Sequence, residues 1–240
     1  MKNKIELEHR IRQLTDPAFW DYLQRTSDEF SRISSLGNYN ASPSQFLTVL
    51  SERLIDGELV PSIDDAFWGL LPVWAKDRSQ GSRAFNARSE TADSKPTFRS
   101  AYTKRRALIP ASGYYEWQKH SGGTKQPFYI YPEAGEGFFF AGLYEWWQED
   151  KADADSWLMS CTVLTADASE DMRHIHDRMP IIMPDDLGMD WMSPGTTSKA
   201  DVAAMIDEAV GRMPNTLTAR PVGPDVGNVR NNRPELILPA

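Results

Sequence analysis

The chain predicts a single α+β domain, rich in strands and poor in helices. Most apolar runs are short and bounded by glycine or proline, the signature of strands, while only two long stretches carry a helical apolar stripe behind a capping residue. With 240 residues the chain can bury a sizeable core, and no repeat, low-complexity tract or long linker divides it. Runs of strands interrupted by few helices point to α+β rather than to alternating βα units.

In chain order, Ile5, Leu7, His9, Ile11 and Gln13 alternate with Glu6, Glu8, Arg10 and Arg12, the period of a half-buried first strand. Asp16-Pro17 then starts a helix, a capping carboxylate followed by a residue that needs no donor, with Phe19, Trp20, Leu23, Phe30 and Ile33 as its apolar stripe and Gly37 as its stop. From Asn38 onward strands are expected at residues 46–50, 67–71, 107–109, 114–117, 128–131, 138–147 and 157–165. Residues 119–126, with Gly122-Gly123, read as a hairpin loop. A short helix is expected at 167–174, leaving His176-Asp177-Arg178 on the turn into 179–183. Ser198 caps a later helix whose inner face is Val202, Met205, Ile206, Ala209 and Val210. The tail from Val226 is polar until Leu236-Ile237-Leu238.

Charge excludes a broadly basic nucleic-acid binder. Lys plus Arg total 26 against 34 Asp plus Glu, a net charge of -8, so any DNA contact must come from a local basic surface. Acidic residues concentrate in 133–155 and 185–207, whereas Lys95, Arg99, Lys104, Arg105 and Arg106 cluster elsewhere. The single cysteine, Cys161, lies in the apolar run 157–164 and reads as a buried structural thiol that can form no internal disulfide. Residues 1–11 have no continuous apolar core, so they read as neither signal peptide nor membrane anchor, and a reducing, cytoplasmic setting is expected. His9, His120, His174, His176 and Cys161 lack structural-zinc spacing; neither metal nor organic cofactor is expected.

Three short polar constellations stand out from apolar surroundings: Asn86-Ala87-Arg88-Ser89-Glu90, Gly113-Tyr114-Tyr115-Glu116-Trp117 and His176-Asp177-Arg178-Met179-Pro180. Donors, a proton shuttle and stacking surface of this kind suit a charged, ring-containing substrate. In an extended segment Asn86, Arg88 and Glu90 share one face, although spacing alone favours a solvated strand edge with a local ion pair. Glu116 among aromatics is either a desolvated acid with a raised pKa or a glutamate on the wet face of a strand. His176, beside a cation and near proline, is placed for proton transfer, though a lone histidine is more often structural. Eight tryptophans cannot all be exposed, so Trp68, Pro72 and Trp74 are either core or stacking platform.

These runs resemble the SOS response-associated peptidase (SRAP) family, abasic-site processing proteins that act on single-stranded DNA. Tyr39-Asn40-Ala41-Ser42-Pro43 resembles the family's loop near the nucleophile, and the segment from Val226-Gly227-Asn228-Val229-Arg230 to Glu235-Leu236 its C-terminal segment, so the resemblance covers about 38–239. It implies a mixed, barrel-like β core with peripheral helices, residues 38–240 as the domain body and 1–37 as a divergent strand and helix of the same domain. Asn86, Glu116 and His176 take the catalytic positions that the resemblance implies: Asn86 near the nucleophile and Glu116 as the acid that assists opening of the abasic sugar. Arg10, Pro43, Trp74, Asn86, Arg88, Trp117 and Arg178 take the implied DNA-binding positions, with Arg88 on phosphate, Trp74 facing DNA and Trp117 stacking on bases or supporting the backbone. The implied partner is single-stranded or junction DNA, bound by a monomer with no membrane association.

Family members begin with a cysteine directly after the initiator methionine, whose α-amine and thiol trap an abasic aldehyde as a thiazolidine. This sequence begins Met1-Lys2-Asn3, and sliding the family's opening pattern along it gives the register Glu8, His9, Arg10, Ile11, with Glu8 at the cysteine's position. Glu8 offers neither group, so the expectation is DNA binding with covalent capture lost. The alternatives are an enzyme that uses Glu116 and His176 with the amine of Met1 or a lysine as a transient imine former, an autoprocessing peptidase, and a module for a ligand other than DNA on the same fold.

Overall fold

The computed structural model describes residues 37–133, 137–196, 198–213 and 217–240. The predicted first strand and following helix, with Glu8 and Arg10, lie outside the described residues.

The longest ladder pairs β1 (Phe46–Ile55) with β2 (Glu58–Trp68), from Phe46 opposite Phe67 to Ile55 opposite Glu58. Asp56 and Gly57, at φ +53° and +86°, make the two-residue turn, because both central positions are left-handed and aspartate and glycine tolerate that region. The pattern at 46–50 and 67–71 caught only the outer ends of this hairpin, and the second strand stops at Trp68 rather than Leu71. Its middle carries Ser51, Glu52, Ser62 and Asp64, which broke up the apolar signal.

β3 (Asn86–Arg88), β4 (Arg106–Ala111), β7 (Phe138–Gln148), β8 (Trp157–Asp167), β9 (Arg178–Pro180) and β10 (Ile182–Met183) complete the main sheet, in the order β10-β7-β4-β1-β2-β8-β3 with β9 on β8. An additional β7–β8 pairing, Gly142 opposite Val163 to Gln148 opposite Trp157, closes β7-β4-β1-β2-β8 into a ring, the expected barrel-like core. The sheet is mixed: β2 and β3 each run parallel to β8, and its other pairs are antiparallel. A second antiparallel sheet joins β5 (Tyr114–Lys119), β6 (Lys125–Pro132) and β11 (Leu217–Pro221). Its β5–β6 loop contains Gly122 and Gly123 at positive φ, as the hairpin reading expected.

Helices are short except the last: α1 (Ser89–Ala92), α2 (Arg99–Lys104), α3 (Gly188–Met192) and α4 (Lys199–Arg212). The Ser198 hydroxyl accepts the Asp201 amide at 3.4 Å, and Val202, Ile206 and Ala209 are buried with Met205 and Val210 packed beside them. Residues 167–174 differ from expectation. The Ser169 carbonyl accepts from the amides of Met172 at 3.0 Å and Arg173 at 2.9 Å, but the segment remains a series of turns.

Strand alternation feeds two apolar clusters. On β1, Leu50 joins Leu108, Leu143, Leu164 and Trp191, against α3 and α4, whereas its neighbour Val49 joins Ile109, Phe140, Cys161 and Val163, toward the second sheet. The expected basic cluster loses Arg105 and Arg106 as free cations. Arg106 is 1% exposed, donates to the carbonyls of Trp191, Tyr102 and Ser193, and its pKa is pushed down to about 10 by burial. Arg105 pairs with the buried Glu145 at 2.5 Å. Lys95, Arg99 and Lys104 remain exposed. Among the described residues no helix is long and apolar enough to cross a membrane.

Candidate functional site

The site grows from the junction of the ring and the second sheet. β3 runs parallel to β8 with Asn86 opposite Val163 and Arg88 opposite Thr165, so alternation buries Ala87 between two exposed polar side chains. The extended run ends there. Ser89 opens α1, which places Glu90 on a helical first turn rather than on the strand face shared by Asn86 and Arg88, a correction to the three-residue pattern. Arg88 makes no ion pair among the described residues.

Glu116 comes from β5, paired with Phe128 of β6. The approach to this strand requires glycine at position 113, because a Cβ there would meet Tyr129 Cζ at 2.4 Å and the Ile130 carbonyl oxygen at 2.6 Å. Burial raises the Glu116 carboxyl above the usual carboxylate range; His176 and the Trp117 amide oppose that rise and Asp177 adds to it. The predicted desolvated acid is therefore present, and its neighbour is the predicted histidine.

His176 sits on the turn before β9. His176 Nδ1 lies 3.1 Å from both the amide and the carbonyl of Arg178, so the Arg178 backbone holds the ring in either tautomer. The Asp177 carboxylate lies 3.2 Å from the same Nδ1 and supplies a partner when the ring is protonated. The Arg178 side chain is already engaged. Nη1 meets Glu90 Oε1 at 2.6 Å and Asp167 Oδ1 at 2.6 Å, and Nη2 meets Glu90 Oε2 at 2.9 Å and the Thr165 carbonyl at 2.8 Å.

A cavity of about 950 Å³ opens beside these elements, and Pro43, Asn86, Glu116 and Trp117 line it together. Trp74, Arg88, His176 and Arg178 stand outside that lining. Trp74 is 58% exposed beside the exposed Val73, while Pro72 is buried and Trp68 is half-buried, its indole donating to the Phe85 carbonyl at 2.8 Å. Trp117 is half-buried and packs toward Tyr129, Val222, Val226 and Leu236. Arg10 lies outside the described residues.

Sequence reasoning missed Arg220, and it placed Asn40 in the 39–43 loop without its structural role. Arg220 lines the cavity with its guanidinium 4.6 Å from the Tyr131 ring centre and 5.5 Å from that of Tyr129. Asn40 is buried, and its amide reaches the carbonyls of Val226, Asn228 and Asn231 at 3.1, 3.2 and 3.1 Å. It thereby ties the loop before β1 to the C-terminal segment. The Tyr115 hydroxyl donates to the Tyr39 carbonyl at 2.8 Å and secures the same loop. A buried asparagine whose amide group meets backbone carbonyls has no periodic signal in sequence. The Asn231-Asn232 pair opposite it was the available hint.

Cys161 is fully buried on β8, and burial pushes its thiol pKa up. Among the described residues no group of three or more His, Cys, Asp or Glu side chains could hold a metal ion.

Residues 7–229 match the family described as SOS response associated peptidase (SRAP). Among similar proteins, the abasic site processing protein YoqW of Bacillus subtilis is 35% identical over 201 residues, covering 83% of this chain and 85% of the relative. The abasic site processing protein YedK of Escherichia coli is 33% identical over 227 residues, covering 91% and 94%. A crystal structure of a protein from Bacteroides thetaiotaomicron superposes with a TM-score of 0.66 at 25% identity, covering 82% of each chain.

Proposed function

The chain belongs to the SRAP family, and from that membership we propose that it binds single-stranded DNA carrying abasic sites as part of a DNA damage response. The observation that carries this reading is the convergence of Asn86, the buried acid Glu116, Pro43 and Trp117 on one cavity, in a chain whose relatives are named for abasic-site processing. The exposed Trp74 ring stacks on a base outside the cavity, and Arg88, with Arg10 and Arg178, meets the phosphate backbone.

At the cavity and its edge the division of labour follows from environment. Glu116, its pKa raised by burial, carries the proton that opens the closed abasic sugar to its aldehyde. His176, its ring held at Nδ1 by the Arg178 backbone, returns and removes protons beside that acid. The Asn86 amide orients the sugar oxygens from the β3 edge. Stable thiazolidine capture requires an amine and a thiol on one carbon, and the single thiol of the 240 residues is Cys161, buried in a strand. Covalent capture is lost in this reading while recognition and sugar opening remain.

Titrating an abasic single-stranded oligonucleotide while following tryptophan fluorescence tests the binding. Neutralising about three phosphates gives a slope of log affinity against log salt near -2. Absence of binding at low salt, or a flat salt response, contradicts the proposal.

A further inference from the structure

The Arg178 guanidinium is held by two carboxylates and a backbone carbonyl. Two carboxylates share its guanidinium, yet they are held very differently. Glu90 is bidentate, at 2.6 and 2.9 Å, with Arg88 adding attraction from the same segment, and Arg178 holds the Glu90 carboxyl below the usual range. Asp167 contributes one oxygen at 2.6 Å to Nη1, from a side chain that is 79% exposed. Asp167 and Arg178 are cross-strand partners at the end of the β8–β9 ladder, and the Asp167 side chain takes no part in the backbone pairing, so it can swing into solvent without disturbing it. Nε is buried, which leaves Nη1 and Nη2 as the groups that meet ligands.

We infer that Asp167 is a phosphate surrogate: it occupies the outer face of the Arg178 guanidinium in the free protein and is exchanged for a backbone phosphate when DNA binds. This rests on the proposed reading of the site as a DNA-binding one and deepens it, by assigning Asp167 a specificity role and Glu90 the role of a permanent anchor. The reason is local neutrality. Arg88 and Arg178 are matched by Glu90 and Asp167, so a strand passing the rim gains little from Arg178 unless one carboxylate leaves, and the monodentate, exposed one leaves at least cost. Strands that fill the cavity compensate for that exchange through their other contacts. Strands that only brush the rim do not, so the exchange filters against non-specific binding.

The test compares Asp167→Asn with the wild-type protein on an abasic oligonucleotide and on an undamaged one of the same sequence. Removing the competing charge should tighten both by about two- to fivefold, in keeping with the modest worth of an exposed pair. The gain should be larger for the undamaged strand. The salt slope should steepen by up to about one unit, because Asp167 no longer takes up a counterion as it is released. Glu170→Gln, an equal change of charge on an exposed side chain three residues away, should leave affinity within error of wild type. Thermal stability of both variants should match wild type, so a folding defect cannot mimic the result. Unchanged or weakened binding by Asp167→Asn, or an equal gain from Glu170→Gln, overturns the surrogate role while leaving the DNA-binding proposal intact. Absence of binding by wild type and both variants overturns the DNA-binding proposal itself.

Discussion

Glu116 and Arg178 lie near the same histidine, but the two groups are controlled in opposite ways. Glu116 is governed by burial, which raises its pKa and favours the neutral acid, with His176 only moderating the effect. Arg178 is governed by partners: the hydrogen bonds it donates to Glu90 and Asp167 fix its charge and position at the rim. A chemistry that needs a proton at neutral pH belongs with the first environment, and a contact that must be made and broken with a polyanion belongs with the second.

The largest expected effect falls on the buried side. A variant chain that starts at position 8, with Glu8→Cys after an initiator methionine and His9→Gly, restores an amine and a thiol in the register of the family's cysteine. It should crosslink abasic DNA, and adding Glu116→Gln should slow that crosslinking by about a hundredfold or more, the usual worth of a general acid. In the proposed reading the acid form is the working form, so the rate should fall as pH rises through the elevated Glu116 pKa. Single-turnover crosslinking rates against pH decide this. A rate indifferent to Glu116→Gln would move the acid elsewhere.

The same acid makes a stability prediction with a definite sign. A carboxyl whose folded pKa is raised binds its proton more tightly in the native state, so its contribution is fully present below the unfolded pKa and is lost as pH rises through the folded one. Glu116→Gln should therefore raise Tm relative to wild type at pH 8 and bring no such gain at pH 4. Thermal melts at the two values check it.

Next come the tryptophans, which separate the rim from the cavity wall. Trp74→Ala should cost roughly 1 to 3 kcal/mol of single-stranded DNA binding with Tm unchanged, because stacking rather than packing is lost. Trp117→Ala should lower both affinity and Tm, since that ring packs toward Val222, Val226 and Leu236 as well as lining the cavity. Equal behaviour of the two variants would erase the distinction. The smallest effect is Arg88→Ala, which should weaken all sequences alike and reduce the salt slope by about one unit or less.

Where sequence and structure part, the physics is the same in each place. The Ser198 cap, the Val202–Ile206–Ala209 face and the Gly122-Gly123 hairpin are local signals, and each appears as read. The β1–β2 hairpin escaped because polar residues interrupt it, although Asp56-Gly57 between Leu54-Ile55 and Leu59-Val60 is itself a hairpin signal. Glu116 was legible as an acid among aromatics. The partners of Arg178 were not, because Glu90 and Asp167 lie 88 and 11 residues away in sequence and meet it only through the β8–β9 ladder and the turn into α1. The same reason took Arg105 and Arg106 out of the expected basic surface, one into a buried ion pair and the other onto core carbonyls.

The most direct test of the proposal that the site recognises abasic DNA without covalent capture is denaturing electrophoresis of the unmodified protein incubated with abasic single-stranded DNA, with and without borohydride. With Cys161 buried, the expected result is no shifted band in the absence of reductant, under conditions where fluorescence titration shows the DNA to be bound. A denaturation-resistant band formed without borohydride would contradict it, because it would mean that stable covalent capture survives.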